Sequence, residues 1–206
     1  MAATRIPVFP LEVVLFPGEL LPLHIFEPRY KEMIGECHEG KRPFAIVLAA
    51  DDGLAEVACT AEILQIDKTY PNGEMDIVTM GRRVCRILEV IEERSFYEAN
   101  VEFLEDVAPP TQVPSTALLQ LFEKSHMATF QQGPDLKALA KAPVVSYHIA
   151  ATLPLDLSYK QALLEIRDED ERRHSLEVNL ARWLEKRELS DRARRVSGGN
   201  GHPHYN

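Results

Sequence analysis

Cysteine is scarce in this chain. Cys37, Cys59 and Cys85 stand more than twenty positions apart in 206 residues, so no Cys-x-x-Cys pair exists to build a zinc knuckle or a redox motif. The expectation is buried free thiols. Long apolar runs are missing too: none approaches the roughly 20 residues that span a bilayer, and the N-terminus MAATRIPVFP lacks a basic region followed by an apolar core. A cytoplasmic protein without a membrane partner is expected. Positive charge is in deficit, with 23 Lys and Arg against 32 Asp and Glu and a net charge of -9. A phosphate backbone is held by several Lys and Arg contacts, so nucleic acid is a disfavoured partner.

Catalytic signatures are absent as well. There is no G-x-S-x-G, and the seven histidines form neither H-E-x-x-H nor H-x-x-E-H. Gly35 to Lys41 matches G-x-x-x-x-G-K, but Arg42 stands where a P-loop needs a hydroxyl for magnesium, and Glu36 and Glu39 would repel phosphates. Cys37 and His38 are adjacent on a helical pattern, where neighbours point about 100° apart and do not meet. His202 and His204 fall in a Gly- and Asn-rich tail and read as inert. These absences predict a protein that is not an enzyme, with no metal and no cofactor.

What is present is a β-rich first half. Residues 96–104 alternate, with Tyr97, Ala99, Val101 and Phe103 on one face and Glu98, Asn100 and Glu102 on the other. Tyr70-Pro-Asn-Gly73 separates 61–68 from 74–80, and Asn-Gly accepts the positive φ of a tight hairpin turn. Residues 84–91 are apolar on both faces, which predicts a strand covered on its outside by a helix in a closed or nearly closed barrel. One helix interrupts the strands: Pro28 suits its first position, Tyr30, Met33, Ile34 and Cys37 share a face, and Gly40 is placed to end it.

Pro109, Pro110 and Pro114 break the β pattern, and a helical period follows. Domains are expected at 1–107 and 112–195, with a disordered tail over 196–206. In the second, Leu119, Phe122, His126 and Phe130 share a face, 143–153 forms a short apolar helix, and Ser158 to Gln161 is a capping-box pattern. The last helix carries Leu176, Leu180, Trp183 and Leu184 on one side. Asp168 with Arg172 and Glu169 with Arg173, spaced i,i+4, read as a solvated opposite side.

Two polar features remain. His24 alternates with Leu23 and Ile25 in an extended run, and is expected to be a barrel histidine held by a backbone carbonyl. Arg82, Arg83 and Arg86 follow Gly81; the first two suit either acidic partners or the chain's own glutamates, and Arg86 reads as structural.

The strings Pro7-Val-Phe-Pro-Leu11, Phe16-Pro-Gly18, Leu21-Pro-Leu-His-Ile-Phe-Glu-Pro-Arg-Tyr30, Cys59-Thr-Ala-Glu-Ile63, Gly81-Arg-Arg83 and Tyr97-Glu-Ala99 resemble the N-terminal substrate-binding domain of the Lon protease family. Ala150-Ala-Thr-Leu-Pro-Leu-Asp156, Gln161-Ala-Leu-Leu-Glu165 and Arg172 resemble the helical part that follows it. Ala58 and Val84-Cys85 depart from the family's usual glycine and Arg-Phe. The resemblance implies an α+β fold, in which a PUA-like β-barrel-like domain with one inserted helix precedes a C-terminal α-helical bundle. It also implies a non-enzymatic binding module for unfolded or tagged polypeptides, an adaptor to a protease or chaperone, since 206 residues have no room for the family's ATPase and protease modules. A PUA-like small-ligand or RNA-binding domain is the alternative. The candidate substrate-contact residues are Arg29, Tyr70, Arg82 and Arg83, and whether a contiguous apolar groove lies between barrel and helices is the structural check on this reading.

Overall fold

Extended segments dominate the first half of the chain because β-branched and aromatic residues recur there between turn residues. The computed structural model describes residues 4–50, 53–110 and 113–198. Its strands are β1 (Thr4–Leu11), β2 (Leu20–Ile25), β3 (Phe44–Ala50), β4 (Gly53–Leu54), β5 (Val57–Thr69), β6 (Met75–Ile91) and β7 (Glu98–Leu104), with helix α1 (Pro28–Glu39) between β2 and β3. After them come α2 (Thr116–Phe130), α3 (Leu136–Lys141), α4 (Val145–Thr152), α5 (Leu157–Glu165) and α6 (Glu169–Gly198).

The strand order is β1-β7-β6-β5-β3-β4, with β2 added on β6, and the sheet is largely antiparallel. The first half of β1 pairs with β7, from Thr4 opposite Val101 to Pro7 opposite Glu98. Its second half pairs in parallel with β3, from Val8 opposite Ala45 to Leu11 opposite Leu48. The ladder that leaves β1 through β7 therefore returns to it through β3. One buried cluster within the sheet joins Ile6, Val8, Ala45, Val47, Ala58, Cys85, Ala99 and Val101.

Helix α1 covers the outside of part of this sheet. Tyr30, Met33, Ile34 and Cys37 are buried as the spacing predicts, against Phe9, Phe44, Ile46, Cys59 and Ile77. Each such side chain is worth about 1.5–3 kcal/mol on burial. Gly40 caps the helix in a right-handed conformation, and the positive φ falls one residue later, at Lys41. The stretches buried on both faces are Phe44 to Val47 of β3, Val57 to Ala61 of β5 and Ile6 to Phe9 of β1. That corrects the expectation for 84–91. There a bulge between Ile87 and Glu89 shifts the register, leaving Leu88 unpaired and more than half exposed, while Val84 alone of the outer residues reaches the helices' core.

The β5–β6 hairpin forms as expected, with Thr69 opposite Met75, a 2.8 Å bond from Tyr70 N–H to the Glu74 carbonyl, and Gly73 at φ 78. The tip of the β1–β2 loop is pinned to the sheet: Gly81 N–H donates to the Glu19 carbonyl and Gly18 N–H to the Gly81 carbonyl, both at 2.9 Å. A Cβ on Gly81 would sit 2.1 Å from the Phe16 carbonyl oxygen, so this approach demands glycine.

Phe16 and Val14 from that loop, with Val57 and Leu104, share one core with Leu118, Phe122, Ile149, Leu163, Leu176 and Leu180 of the helices. Three helical expectations change here. On α2 the buried line is Leu118, Phe122 and Ser125, while Phe130 is half exposed, because α6 packs one position round from the face that the sequence suggests. Helix α5 begins at Leu157 with Asp156 at its cap, so Ser158 lies inside the first turn and no capping box forms. Helix α6 continues through residues 196–198, and residues 199–206, the rest of the expected tail, lie outside the described residues. Among the described residues no helix is long and apolar enough to cross a membrane.

Candidate functional site

The four sequence-nominated residues fall into two separate places. Tyr70 lies at the β5–β6 turn, where its hydroxyl donates to Asp76 Oδ2 at 2.7 Å and the Lys68 ammonium stands 4.2 Å from its ring centroid. Arg29 is in the first turn of α1, paired with Glu27 at 2.9 Å and stacked over Tyr30. Lys31 of the same turn donates to the Asn72 carbonyl at 3.0 Å, which seats α1 against the hairpin tip. Arg82 and Arg83 are on β6, about 20 Å further along from Asp76 at the usual rise per residue. Arg82 pairs with Glu62 at 2.6 Å; Arg83 pairs with Glu105 at 2.5 Å and lies 3.9 Å over the Phe103 ring. All three arginines are exposed, where such pairs are worth roughly 0–1 kcal/mol and exchange readily for another carboxylate.

His24 is neither buried nor held by a carbonyl, contrary to expectation. Its Nδ1 lies 2.7 Å from Asp76 Oδ1 and its Nε2 3.5 Å from Glu74 Oε2, with Phe26 stacked beside it. The cause is topological: β2 is a side branch on β6, so Leu20, Pro22, His24 and Phe26 face solvent on its outer side. Hydrogen bonds from His24 and Tyr70 hold the Asp76 carboxyl below its usual range.

A groove of about 460 Å3 opens where sheet meets helices. Leu48, Leu54 and Ala55 of the β3–β4 hairpin form one wall, and Ser158, Gln161 and Ala162 of α5 the other. Gln161, expected to close a capping box, instead donates to the Val57 carbonyl at 3.0 Å and ties α5 to β5. The size is typical of a site that takes a few side chains.

What fixes the helices behind this groove is the residue that the sequence reading placed in water. Arg172 is fully buried. Its Nη1 and Nη2 grip Asp106 just beyond β7 at 2.8 and 2.5 Å, Nη1 also reaches the Ile166 carbonyl at 2.7 Å, and Nε contacts Ser146 Oγ and Glu169 Oε2. The Tyr147 ring lies 4.4 Å from the guanidinium. Glu169, also buried, takes the Ser146 N–H and hydroxyl and pairs with Arg173. Burial opposes the charge on Arg172, but the bonds to Asp106 together with the nearby Tyr147 and Glu169 outweigh it and leave the guanidinium's pKa raised. Spacing within one helix cannot distinguish such a pair from a wet one; the apolar helix at 143–153 nearby was the available signal.

The model of the ATP-dependent protease La (LON) substrate-binding domain matches residues 5–180. The Lon protease of Cytophaga hutchinsonii is 25% identical over 185 residues, covering 81% of this chain and 23% of that protein. Protein cereblon of Xenopus tropicalis is 32% identical over 133 residues, 61% of this chain and 29% of that protein. A Lon N-terminal domain protein from Xanthomonas campestris superposes with a TM-score of 0.68 at 24% identity, over 84% of this chain and 96% of that structure. The N-terminal domain of the Mycobacterium avium complex Lon protease gives 0.58 at 19%, over 86% and 98%. This chain thus spans about a quarter of the length of the full Lon proteases that it matches.

Proposed function

The chain belongs to the family of Lon substrate-binding domains, and from that premise we propose that it is a non-catalytic module that binds unfolded or tagged polypeptides in the groove between the β3–β4 hairpin and α5. The single observation behind this is the groove itself, an apolar recess at the junction of sheet and helices. Delivery of the bound chain to a protease or chaperone is the adaptor role that follows. The division into a PUA-like, barrel-like unit over 1–107 and a helical bundle over 112–195 belongs to the same reading, supported by a ladder that returns to β1. RNA or another phosphate ligand is disfavoured, because the charged residues lining the groove among the described residues are Glu56 and Glu165.

The test is anisotropy of a labelled, permanently unfolded polypeptide titrated with the protein and with an Ala162→Trp variant. Ala162 is exposed on α5, so the indole fills the groove while circular dichroism stays unchanged. Binding should weaken at least about tenfold, equivalent to about 1.4 kcal/mol. Equal affinity in the two proteins, or no binding by the parent, overturns the assignment.

A further inference from the structure

The groove is one-sided in charge. Glu56 follows β4 and its carboxylate has no ion-pair or hydrogen-bond partner among the described residues. Glu165 is the last residue of α5, and among the described residues its carboxylate accepts only the Gln161 amide, at 2.9 Å. Among the described residues no Lys or Arg lines the recess. Lys160, next to Gln161 in sequence, is half-buried; burial lowers its pKa, and Glu19 opposes that only in part. A glutamate at a helix C-terminus sits where the helix dipole is already negative, an unfavourable place that a cation relieves.

The backbone supplies the second element of recognition. Strand β4 ends the pairing order and has β3 as its partner, so one of its edges carries no strand among the described residues. An open edge beside an apolar wall accepts an extended chain, with main-chain hydrogen bonds along the edge and alternate side chains turned into the recess. Leu48, Leu54 and Ala162 offer contact to apolar side chains, and Glu56 and Glu165 offer contact to a cation.

We propose that the groove selects extended polypeptide segments in which a Lys or Arg lies next to apolar residues, with Glu56 and Glu165 as the residues that read the positive charge. This rests on the groove being the polypeptide site. An acidic segment of equal hydrophobicity is repelled, so the site discriminates among unfolded chains and does not accept every exposed apolar stretch. Both carboxylates are exposed, so the selectivity is modest and sensitive to salt.

The experiment uses three short labelled peptides with one apolar Val- and Leu-rich core, differing at a single flanking position as Lys, Gln or Glu. Affinities are measured by anisotropy for the parent protein, for Glu56→Gln/Glu165→Gln and for Ala162→Trp, at about 0.02 M and about 0.5 M salt. The Lys peptide should bind the parent about fivefold more tightly than the Gln peptide, with the Glu peptide weakest. That ranking should vanish in the double glutamine variant and at high salt. If the parent binds all three alike and Ala162→Trp weakens all three, charge selection is overturned and polypeptide binding stands. If the Lys preference survives in the double variant, Glu56 and Glu165 are not its readers. If no peptide binds, both readings fall.

Discussion

Arg172 shows how much one side chain decides here. Its guanidinium spends its donors on Asp106, Glu169, Ser146 and the Ile166 carbonyl, joining the end of β7 to α4, α6 and the turn before α6. A buried charge is tolerable only while every partner is present, so removing one strands the others in a poor dielectric. Arg172→Met should lower unfolding free energy by about 3–5 kcal/mol in urea titration. Arg172→Lys should fall between the two, since an ammonium keeps the charge but cannot reproduce the two-pronged grip on Asp106. Equal stability of all three would mean that the network contributes nothing.

Among the elements, α1 and β6 make a useful contrast. Ile34 on α1 is completely buried against the sheet, whereas Leu88 is the bulged residue of β6 and more than half exposed. Both are branched aliphatic residues in patterns that look equally core-like. Ile34→Ala should cost about 2–5 kcal/mol, and Leu88→Lys should change stability by less than about 0.5 kcal/mol. A large loss on introducing lysine at 88 would place that residue inside a helix-covered face after all. The same bulge explains why residues 84–91 look apolar on both sides: the alternation changes phase midway, so Cys85, Ile87 and Val90 face one way by register while Leu88 projects out.

Across the whole molecule, three thiols sit in two parts of the interior: Cys37 of α1 and Cys59 of β5 in the core between that helix and the sheet, and Cys85 of β6 in the cluster with Ile6, Val8 and Ala45. Burial pushes Cys37 up to about 11 and Cys85 up to about 12 from an ordinary 9.0, and Cys59 higher still. A folded pKa above the unfolded value means that the folded state favours the neutral thiol. That contribution is complete below pH 9 and is lost as pH rises through 11 to 12. Native protein at neutral pH should therefore resist a maleimide, all three thiols should label together when denaturant unfolds the chain, and stability should decline across the interval from pH 9 to 12. Fast labelling of one thiol under native conditions would show that its pocket opens locally.

Local pattern was enough to determine α1 with its buried face, the β5–β6 turn with its positive-φ glycine, the outward-facing alternation of β7, and the strings that carry the family. Each of these depends on residues close in the chain, where a period of 2 or 3.6 or a turn's φ requirement is visible directly. Tertiary packing alone decided the rest. Whether the charges at 168–173 lie in water or under α4 depends on what crosses them, and Asp106 comes from more than sixty residues away. His24 is exposed because β2 branches from β6, and no spacing within β2 expresses that. The groove exists only because Gln161 and Arg172 clamp helices to strands distant in sequence, so its walls, its open strand edge and its two glutamates meet in space without forming any pattern along the chain.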